Sequence, residues 1–359
     1  MAGRGLVAWR DSCASLAAMR GIEIAGGGLA GLSLGIALRK RGVPVLIREA
    51  GSYPRHKVCG EFINGVTSET LEKLGIREIF KKALLHERTR WWVGNREVLS
   101  AELLRPALGM TRWEMDVALK DLFLAEGGTL RVRERARREA REGFVWAAGR
   151  RLEKGSEWLG LKGHFEGVPL EGEAGLEMHL GAGGYVGLTP IQEDGGRVNV
   201  CALFKKREMR GERLMEAYLG ACGLEHLAQR LGAGRIDQAS LTGVSGFQLG
   251  EQRLEGGERD LCTLGDAERM IPPFTGNGMS MAFESAECAL APLLQFSEGA
   301  DWHECRAAIR ESLERRFKKR VSLALGLHRF LTTAAGRGGL AVAARTGLLP
   351  FQWLHRQLS

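Results

Sequence analysis

The stretch "GIEIAGGGLAGLSLGIALRKRGVPVLIREA" (21–50) decides the fold. Residues 22–26 predict a short buried strand. Residues 31–42 carry helical apolar spacing through Leu32, Leu34, Ile36, Ala37 and Leu38, with Gly42 as the C-terminal stop. Residues 43–49 predict the next strand. Gly26, Gly28 and Gly31 fall as G-x-G-x-x-G at the strand-to-helix junction, with Leu29 and Ala30 inside the turn. There the first glycine permits the turn and the second admits a pyrophosphate. The third lets helix and strand pack closely. The helix N-terminus adds amide donors and partial positive charge. Glu49 ends the second strand, where a carboxylate accepts hydrogen bonds from an adenosine ribose. The pattern predicts dinucleotide binding and does not separate NAD from FAD.

The discriminating element lies in the C-terminal half, "LCTLGDAERMIPPFTGNGMSMAFESAECALAPLL" (261–294). A short strand (261–264) runs into Gly265-Asp266, then a proline-containing loop, then a helix from about 279 to 294. Here the sequence resembles the flavoprotein family built on the p-hydroxybenzoate hydroxylase fold, and most of all its geranylgeranyl-reductase-like branch. The resemblance implies FAD. It gives Asp266 the ribityl chain, puts Pro273 and Gly276 beside the ring, and aims the amides of Gly278 and Met279 at its pyrimidine edge. A helix N-terminus stabilises the negative charge that reduced flavin carries there.

Three further patches are similar to the family. "YPRHKVCGEFI" (53–63) resembles the P-x-x-x-x-C-G stretch that lines the reaction chamber of geranylgeranyl reductases. This makes Cys59, Gly60 and Glu61 the flavin-facing candidates. Cys59 reads equally well as a small buried apolar side chain. "GGYVGLTPIQEDGGRVNVCALF" (183–204) predicts an antiparallel hairpin. Its Tyr185, Pro190, Asn199 and Val200 resemble the Tyr-x-Trp-x-x-Pro … Asn-Val wall of the substrate cavity, with Gly187 at the Trp position. Tyr185 therefore joins the flavin-facing candidates. In "TRWEMDVALKDLFLAEGGTLRV" (111–132), the resemblance gives Arg112 the FAD phosphates or ribityl region and gives the Val132 backbone the adenine. Arg48, Lys57 and Gly265 complete the candidate FAD contacts.

The chain departs from the family at "VWAAGRR" (145–151), where Ala148 stands in place of the aspartate with which the hydroxylases position FAD and NADPH. The segment from 132 to 145 is also short for the strand meander the family runs there. "RWWVGN" is not the Trp-x-Trp-x-Ile-Pro motif of the related halogenases. Trp91 and Trp92 read as sheet packing or as the lining of an aromatic pocket.

These pieces predict an α/β chain with a discontinuous Rossmann-like FAD-binding domain (19–85, 111–151 and 255–298). An antiparallel-sheet substrate domain occupies 86–110 and 152–254, with helices inserted at 214–231. Helices fill 299–359, where Leu323, Leu325, Leu327, Phe330 and Leu331 form an apolar stripe. That stripe either packs over the cavity or rests on a membrane surface as a peripheral contact. The first eighteen residues read as a disordered extension, or as a start before a true initiator at Met19.

With 359 residues, 44% hydrophobic and 26% charged, the chain predicts a globular protein of two lobes. No apolar run approaches a membrane span. The net charge of +8 is interleaved with acids, as in "RVRERARREARE" (131–142), which reads as a solvated helix or hairpin and argues against nucleic acid. Seven scattered cysteines without a C-x-x-C pair suit a reducing cytoplasm and exclude a zinc framework.

The expected function is an FAD-dependent oxidoreductase for a hydrophobic isoprenoid, alkyl or polyketide-like substrate, working by ene-reduction or monooxygenation, with NAD(P)H as candidate reductant. The alternatives are a flavin-binding protein without turnover, a flavin-dependent halogenase, or an NAD(P)-only dehydrogenase that would leave Asp266 without a role.

Overall fold

The computed structural model describes residues 19–151, 155–193, 195–209, 213–252, 258 and 260–359. The N-terminal extension (1–18) lies outside the described residues. So do positions 152–154 and 253–257, on which two of the expected lobe boundaries fall.

The chain begins as its glycine pattern dictates: β1 (Ile22–Ala25), α1 (Leu29–Arg39) and β2 (Val45–Glu49). Ten of the eleven α1 residues are buried, so the helix is apolar on all sides and lies in the core. It stops where Gly42, at φ +83°, sends its amide to the Arg39 carbonyl while Val43 reaches back to Leu38. This paired closure needs a left-handed residue.

Next come β3 (Phe62–Ile63), α2 (Ser68–Lys73), β4 (Leu84–Val93), β5 (Arg96–Gly109), α3 (Arg112–Ala125), β6 (Thr129–Val132) and β7 (Phe144–Trp146). Between β6 and β7 the charged run 131–142 is neither helix nor hairpin, which corrects the expectation. After β6 it is an irregular crossing strap. Its cations are held by carboxylates distant in sequence: Arg141 by Glu23 at 2.7 Å and Arg138 by Glu258 at 3.4 Å.

The second half runs through β8 (Trp158–Glu166), β9 (Leu176–Gly181), β10 (Gly184–Pro190), β11 (Arg197–Lys205), α4 (Leu214–Ala221), α5 (Glu225–Ala233) and β12 (Arg235–Ser245). Short strands β13 (Gly250–Glu251), β14 (Cys262–Thr263) and β15 (Arg269–Met270) lead to α6 (Gly278–Ser297), α7 (Trp302–Leu331), α8 (Ala334–Arg345) and α9 (Phe351–Leu358).

Two sheets organise the molecule. The first has order β14-β7-β1-β2-β6, with every pairing parallel. This is a Rossmann-like sheet assembled from three separated stretches of chain. Its crevice opens at the carboxyl end of β1, where the strand order switches direction. The second has order β12-β8-β11-β10-β9-β4-β5-β3 and is antiparallel except for β4 with β9.

Alternation gives this second sheet two faces. Leu161, Phe165, Val186, Val198, Val200 and Phe204 form the outer core with α4 and α5. The opposite face turns toward the crevice: a Cβ built at Gly160 would lie 3.0 Å from Val58, in the segment leading to Cys59.

The tail packs inward along Cys305, Ile309, Leu313, Phe317, Val321 and Ala324, all buried on one side of α7. The expected stripe differs in part. Leu323, Leu325 and Leu327 are only partly buried, and Phe330 is 48% exposed. The residues spaced by three and four, not the leucine-rich run, face the core.

Candidate functional site

The glycine turn and the Gly265-Asp266 corner meet. Gly26, at φ +101°, sits so close to the strap after β7 that a Cβ there would lie 2.4 Å from the Ala147 carbonyl oxygen. Ala148, the position without its aspartate, belongs to this same contact. A Cβ at Gly31 would strike the Gly26 carbonyl oxygen at 2.0 Å. One at Gly265 would lie 3.3 Å from the Ala30 Cβ. Two pieces of chain more than two hundred residues apart thus border one crevice, as the two motifs predict.

Gly28, Gly60 and Gly278 are different. A Cβ at any of them would meet nothing within 4 Å, so the protein leaves open space above the turn, above the 53–63 segment and at the start of α6. The helices starting at Gly28 and Asn277 have no capping side chain and no acid in their first turns. Their free amides suit an anion. Asn277 turns its Nδ2 to the Asn64 carbonyl at 2.9 Å instead, and its buried Oδ1 has no partner among the described residues.

Cations and their acids line the crevice between these ends. Arg112 is buried and forks onto Asp116 at 2.8 and 3.0 Å, while Lys57 reaches the same carboxylate at 2.6 Å. Burial alone would raise the Asp116 pKa, but Arg112 and Lys57 outweigh it and hold the carboxyl below its usual range. Burial, and then the Arg112 charge, push Lys57 down to about 8. Glu49 is buried and accepts the Gly27 amide at 2.8 Å and the Gly51 amide at 2.7 Å, with Arg55 at 3.0 Å. The Tyr53 hydroxyl donates to the Gly27 carbonyl. Asp266 keeps 35% of its side-chain exposure, yet protein packs closely around it. Burial raises its pKa against the pull of Arg150, 3.9 Å away.

The 53–63 segment crosses from the crevice to the second sheet. The Cys59 sulfur lies 3.4 Å from the Met279 sulfur at the start of α6, and the Cys59 carbonyl accepts Asn199 Nδ2 at 3.0 Å. Burial pushes the Cys59 thiol up, so it stays protonated and packs. Glu61 is fully buried at φ +54°. Its Oε1 accepts the Arg112 amide at 3.0 Å and faces Lys162 at 3.3 Å, and its Oε2 meets His164 Nε2 at 2.7 Å. Burial would raise this carboxyl, but the His164 hydrogen bond and the Lys162 charge hold it low. Lys162 also contacts His56 Nδ1 at 3.2 Å.

Lys162 and His164 were not among the sequence candidates. The signal was there: in "LKGHFE" the two polar residues alternate with Leu161 and Phe165, so both belong to one face of β8.

Along the inner sheet face, this polar end gives way to Cys201 and Gly187 and then to an apolar end. Tyr185 is buried there, edge-on to Phe274 of the loop before α6, with Met178, Leu180 and Trp91 in the same cluster. Trp92 stacks on His179 behind it.

Two candidates sit apart from the turn. Strand alternation turns Arg48 to the face opposite Glu49, where it pairs with Glu23 at 2.7 Å and with Glu134. Val132 ends the edge strand β6 beside Glu49 and is 44% exposed. Pro273 opens the tight turn before α6, and Gly276 closes it in the left-handed region.

Residues 21–143 match the family model described as an FAD binding domain. This stretch is an FAD-binding domain.

Three solved structures illustrate its breadth. The flavin-dependent brominase Bmp2 is 19% identical at a TM-score of 0.72, over 94% of this chain and 92% of that one. The p-nitrophenol 4-monooxygenase PnpA from Pseudomonas putida DLL-E4 is 15% identical at 0.72, over 94% and 98%. A geranylgeranyl bacteriochlorophyll reductase-like protein from Thermoplasma acidophilum is 18% identical at 0.73, over 92% and 91%. No curated protein matches the chain significantly. The three resemble this chain about equally, so the likeness gives the fold without choosing the geranylgeranyl-reductase branch; FAD rests on the matched domain.

The residues present fit FAD: open space over Gly28 and Gly278, two uncapped helix starts, the Asp266 carboxyl and the Arg112–Lys57 cations are the groups a dinucleotide with two phosphates and a ribityl chain would use. No helix among the described residues is long and apolar enough to cross a membrane.

Proposed function

We propose that the protein is an FAD-dependent oxidoreductase that reduces a carbon–carbon double bond in a hydrophobic small molecule, with NAD(P)H as reductant. When bound, FAD supplies two-electron chemistry. The chain's residues do the rest. Asp266, Arg112 and the amides at Gly28 and Met279 hold the cofactor's two ends. The face from Leu203 through Tyr185 to Met178 receives the apolar body of the substrate and keeps water out. Cys59, Gly60 and Glu61 form the floor.

The observation that carries this reading is the inner sheet face itself. Its apolar half packs on Phe274 of the loop before α6, and its buried acid–base half adjoins the Cys59 segment that touches Met279, an arrangement suited to holding a greasy molecule and managing one proton beside a flavin. Ala148, in place of the aspartate with which the hydroxylases position FAD and NADPH, argues against the hydroxylase-style use of bound NADPH, and the P-x-x-x-x-C-G resemblance of Pro54 to Gly60 favours reduction. Mixing the purified protein with FAD, NADPH and isoprenoid or polyketide-like alkenes without oxygen tests it. A yellow protein bleached by NADPH, then reoxidised by an alkene, is the expected result. A protein that stays colourless with FAD overturns the flavoenzyme reading. One that reacts only with oxygen and returns a hydroxylated product replaces reduction by monooxygenation.

The tail supports a peripheral contact with anionic lipid. Residues 315–359 contain nine Lys and Arg and no acid. Arg316 and Arg320 pair inward with Glu287 and Glu284, while Leu348 and Trp353 are 77% and 56% exposed. Co-sedimentation with phosphatidylserine vesicles and not with phosphatidylcholine vesicles is expected; equal recovery with both removes the contact.

A further inference from the structure

We propose that His56, Lys162, Glu61 and His164 form a proton path from the protein surface to the chamber, ending at the Nδ1 atom of His164. The inference rests on the reading of the inner sheet face as the substrate chamber, and deepens it by naming the groups that exchange its proton.

The contacts are continuous: His56 Nδ1 to Lys162 Nζ at 3.2 Å, Lys162 Nζ to Glu61 Oε1 at 3.3 Å, and Glu61 Oε2 to His164 Nε2 at 2.7 Å. Three of the four side chains are buried, Lys162 and Glu61 completely. The fourth, His56, is partly exposed and stacks against Trp113, itself 41% exposed, so the chain of contacts reaches the surface there. At the other end, the buried Nδ1 of His164 has no partner among the described residues. Buried polar atoms are nearly always satisfied, and one left open at the end of such a chain points to a ligand.

The geometry around the path holds it in one arrangement. The His164 amide donates to Ser240 Oγ at 2.7 Å, and Ser240 is brought there by the irregularity in β12 between Asp237 and Thr242. Asn199, the cross-strand neighbour of His164, fixes the Cys59 carbonyl two residues before Glu61. The charged groups facing the path are Arg112, whose amide binds Glu61, and Asp237 on β12, the cross-strand neighbour of His164. Apolar residues of the same size often stabilise a core at least as well as a buried lysine–glutamate pair, so stability alone is a weak account of this one.

The polarity of each bond follows. Glu61 is held ionised, so His164 donates to it from Nε2. Burial, and then the Lys162 charge, lower the His56 pKa, so its Nδ1 accepts from Lys162. A proton arriving at His164 Nδ1 releases the Nε2 proton to Glu61. The Glu61 carboxyl turns to bring that proton from the His164 side to the Lys162 side and passes it to Lys162 as Lys162 gives one to His56, and His56 releases one from Nε2 to water. One proton enters, one leaves, and no electrons move. The passage leaves both imidazoles in the other tautomer, with the His164 proton on Nδ1; from that form the reverse sequence delivers one proton to the chamber, as hydride addition to a double bond requires, and restores the starting form.

The test is ring nitrogen–proton NMR on the FAD-loaded protein labelled with 15N-histidine, the His164 signal being assigned by its loss in His164→Gln. The path predicts the Nε2–H form, with a ring proton that exchanges with solvent at least about tenfold more slowly in His56→Phe and in Lys162→Met. An imidazole that is merely buried exchanges only when the protein opens locally, which a destabilising change such as Lys162→Met can speed but not slow. Exchange no slower than about half the parent rate in both variants overturns the path. Should Lys162→Met fail to fold, the near-surface His56→Phe decides alone. Flavin absorbance is read on the same samples: a colourless parent protein defeats the FAD reading, whereas a yellow one with insensitive exchange defeats only the path.

Discussion

Replacing Gly28 and Gly31 separately by alanine distinguishes a glycine kept for the fold from one kept for the ligand. At Gly31 the new methyl would lie 2.0 Å from the Gly26 carbonyl oxygen and 3.2 Å from Ile24 Cγ2. The first neighbour is backbone, so α1 itself must retreat by more than an ångström, and overpacking of that kind typically costs about 1–3 kcal/mol. At Gly28 the methyl meets nothing within 4 Å, and the backbone, at φ −88° and ψ −168°, is open to any residue. The only loss there is the poorer N-terminal preference of alanine, about 0.5–1 kcal/mol. FAD reverses the ranking, because a methyl at Gly28 occupies the approach to the amides. Losing one charge-assisted hydrogen bond costs about 1.5–3 kcal/mol, roughly ten- to a hundredfold in Kd. Urea unfolding without FAD should therefore single out Gly31→Ala. Titration of the apo-protein with FAD, followed by flavin fluorescence, should single out Gly28→Ala. Parent-like FAD affinity in Gly28→Ala would refute the placement of the pyrophosphate over this turn, whatever else the protein binds.

Asp266→Ala should weaken FAD retention by on the order of 1.5–3 kcal/mol, read as flavin lost on gel filtration; full retention removes Asp266 from the cradle. His86 and His328 are buried with pKa values lowered by burial to about 4, against the ordinary 6.5. Their neutral forms contribute stability that is fully present above about pH 6.5 and lost as the pH falls toward 4, because the unfolded chain takes up protons first. The slope is at most about 1.4 kcal/mol per pH unit for each, so His328→Phe should flatten the fall of the urea midpoint between neutral and acid pH. Lys162→Met strands the Glu61 carboxylate in the interior and should cost about 3–5 kcal/mol. Adding Glu61→Gln should return part of that loss, and additive losses would show that the two do not interact.

Both ends of the crevice were readable because glycine and short strands mark them locally. Gly26, Gly28 and Gly31 punctuate a strand–helix joint, and Gly265-Asp266 ends a strand before a G-N-G helix start; neither reading needs a distant partner. Arg48 shows what strand parity adds. Its place beside Glu49 in sequence puts it on the opposite face in a strand, with Glu23 and Glu134. The run 131–142 has helix-like charge density but no apolar period, and its cations answer to Glu23 and Glu258, which only the fold brings near. Lys162 and His164 were hidden for a deeper reason. A strand with alternating polar residues looks the same whether its polar face meets water or a buried carboxylate, and Glu61 lies 103 residues from His164 in sequence.

The helix starts carry one more consequence. α2, α3, α7 and α8 are closed by Thr67, Thr111, Asp301 and Thr333, each accepting a first-turn amide. α4 and α5 lack such a side chain but place Glu216 and Glu225 in the first turn. α1, α6 and the short C-terminal α9 have neither; of these, α1 and α6 open on the crevice, and the cap of α6 is an asparagine well suited to the task. A missing cap costs about 1 kcal/mol, so the apo-protein is under-stabilised at both helix starts, and an anion restores what the side chains withhold. Gly28→Asp should therefore act with opposite signs in the two states. Without FAD it supplies a cap and a favourable charge at the helix N-terminus, together about 0.5–1 kcal/mol of added stability. With FAD it sets a carboxylate against the pyrophosphate, and most of the ligand-induced stabilisation, about 2.7 kcal/mol for parent protein at a hundred times Kd, disappears. Unfolding midpoints measured with and without FAD on both proteins give the four numbers needed. If the aspartate moves both states in the same direction, the bare start of α1 is an accident of packing rather than a place prepared for the cofactor.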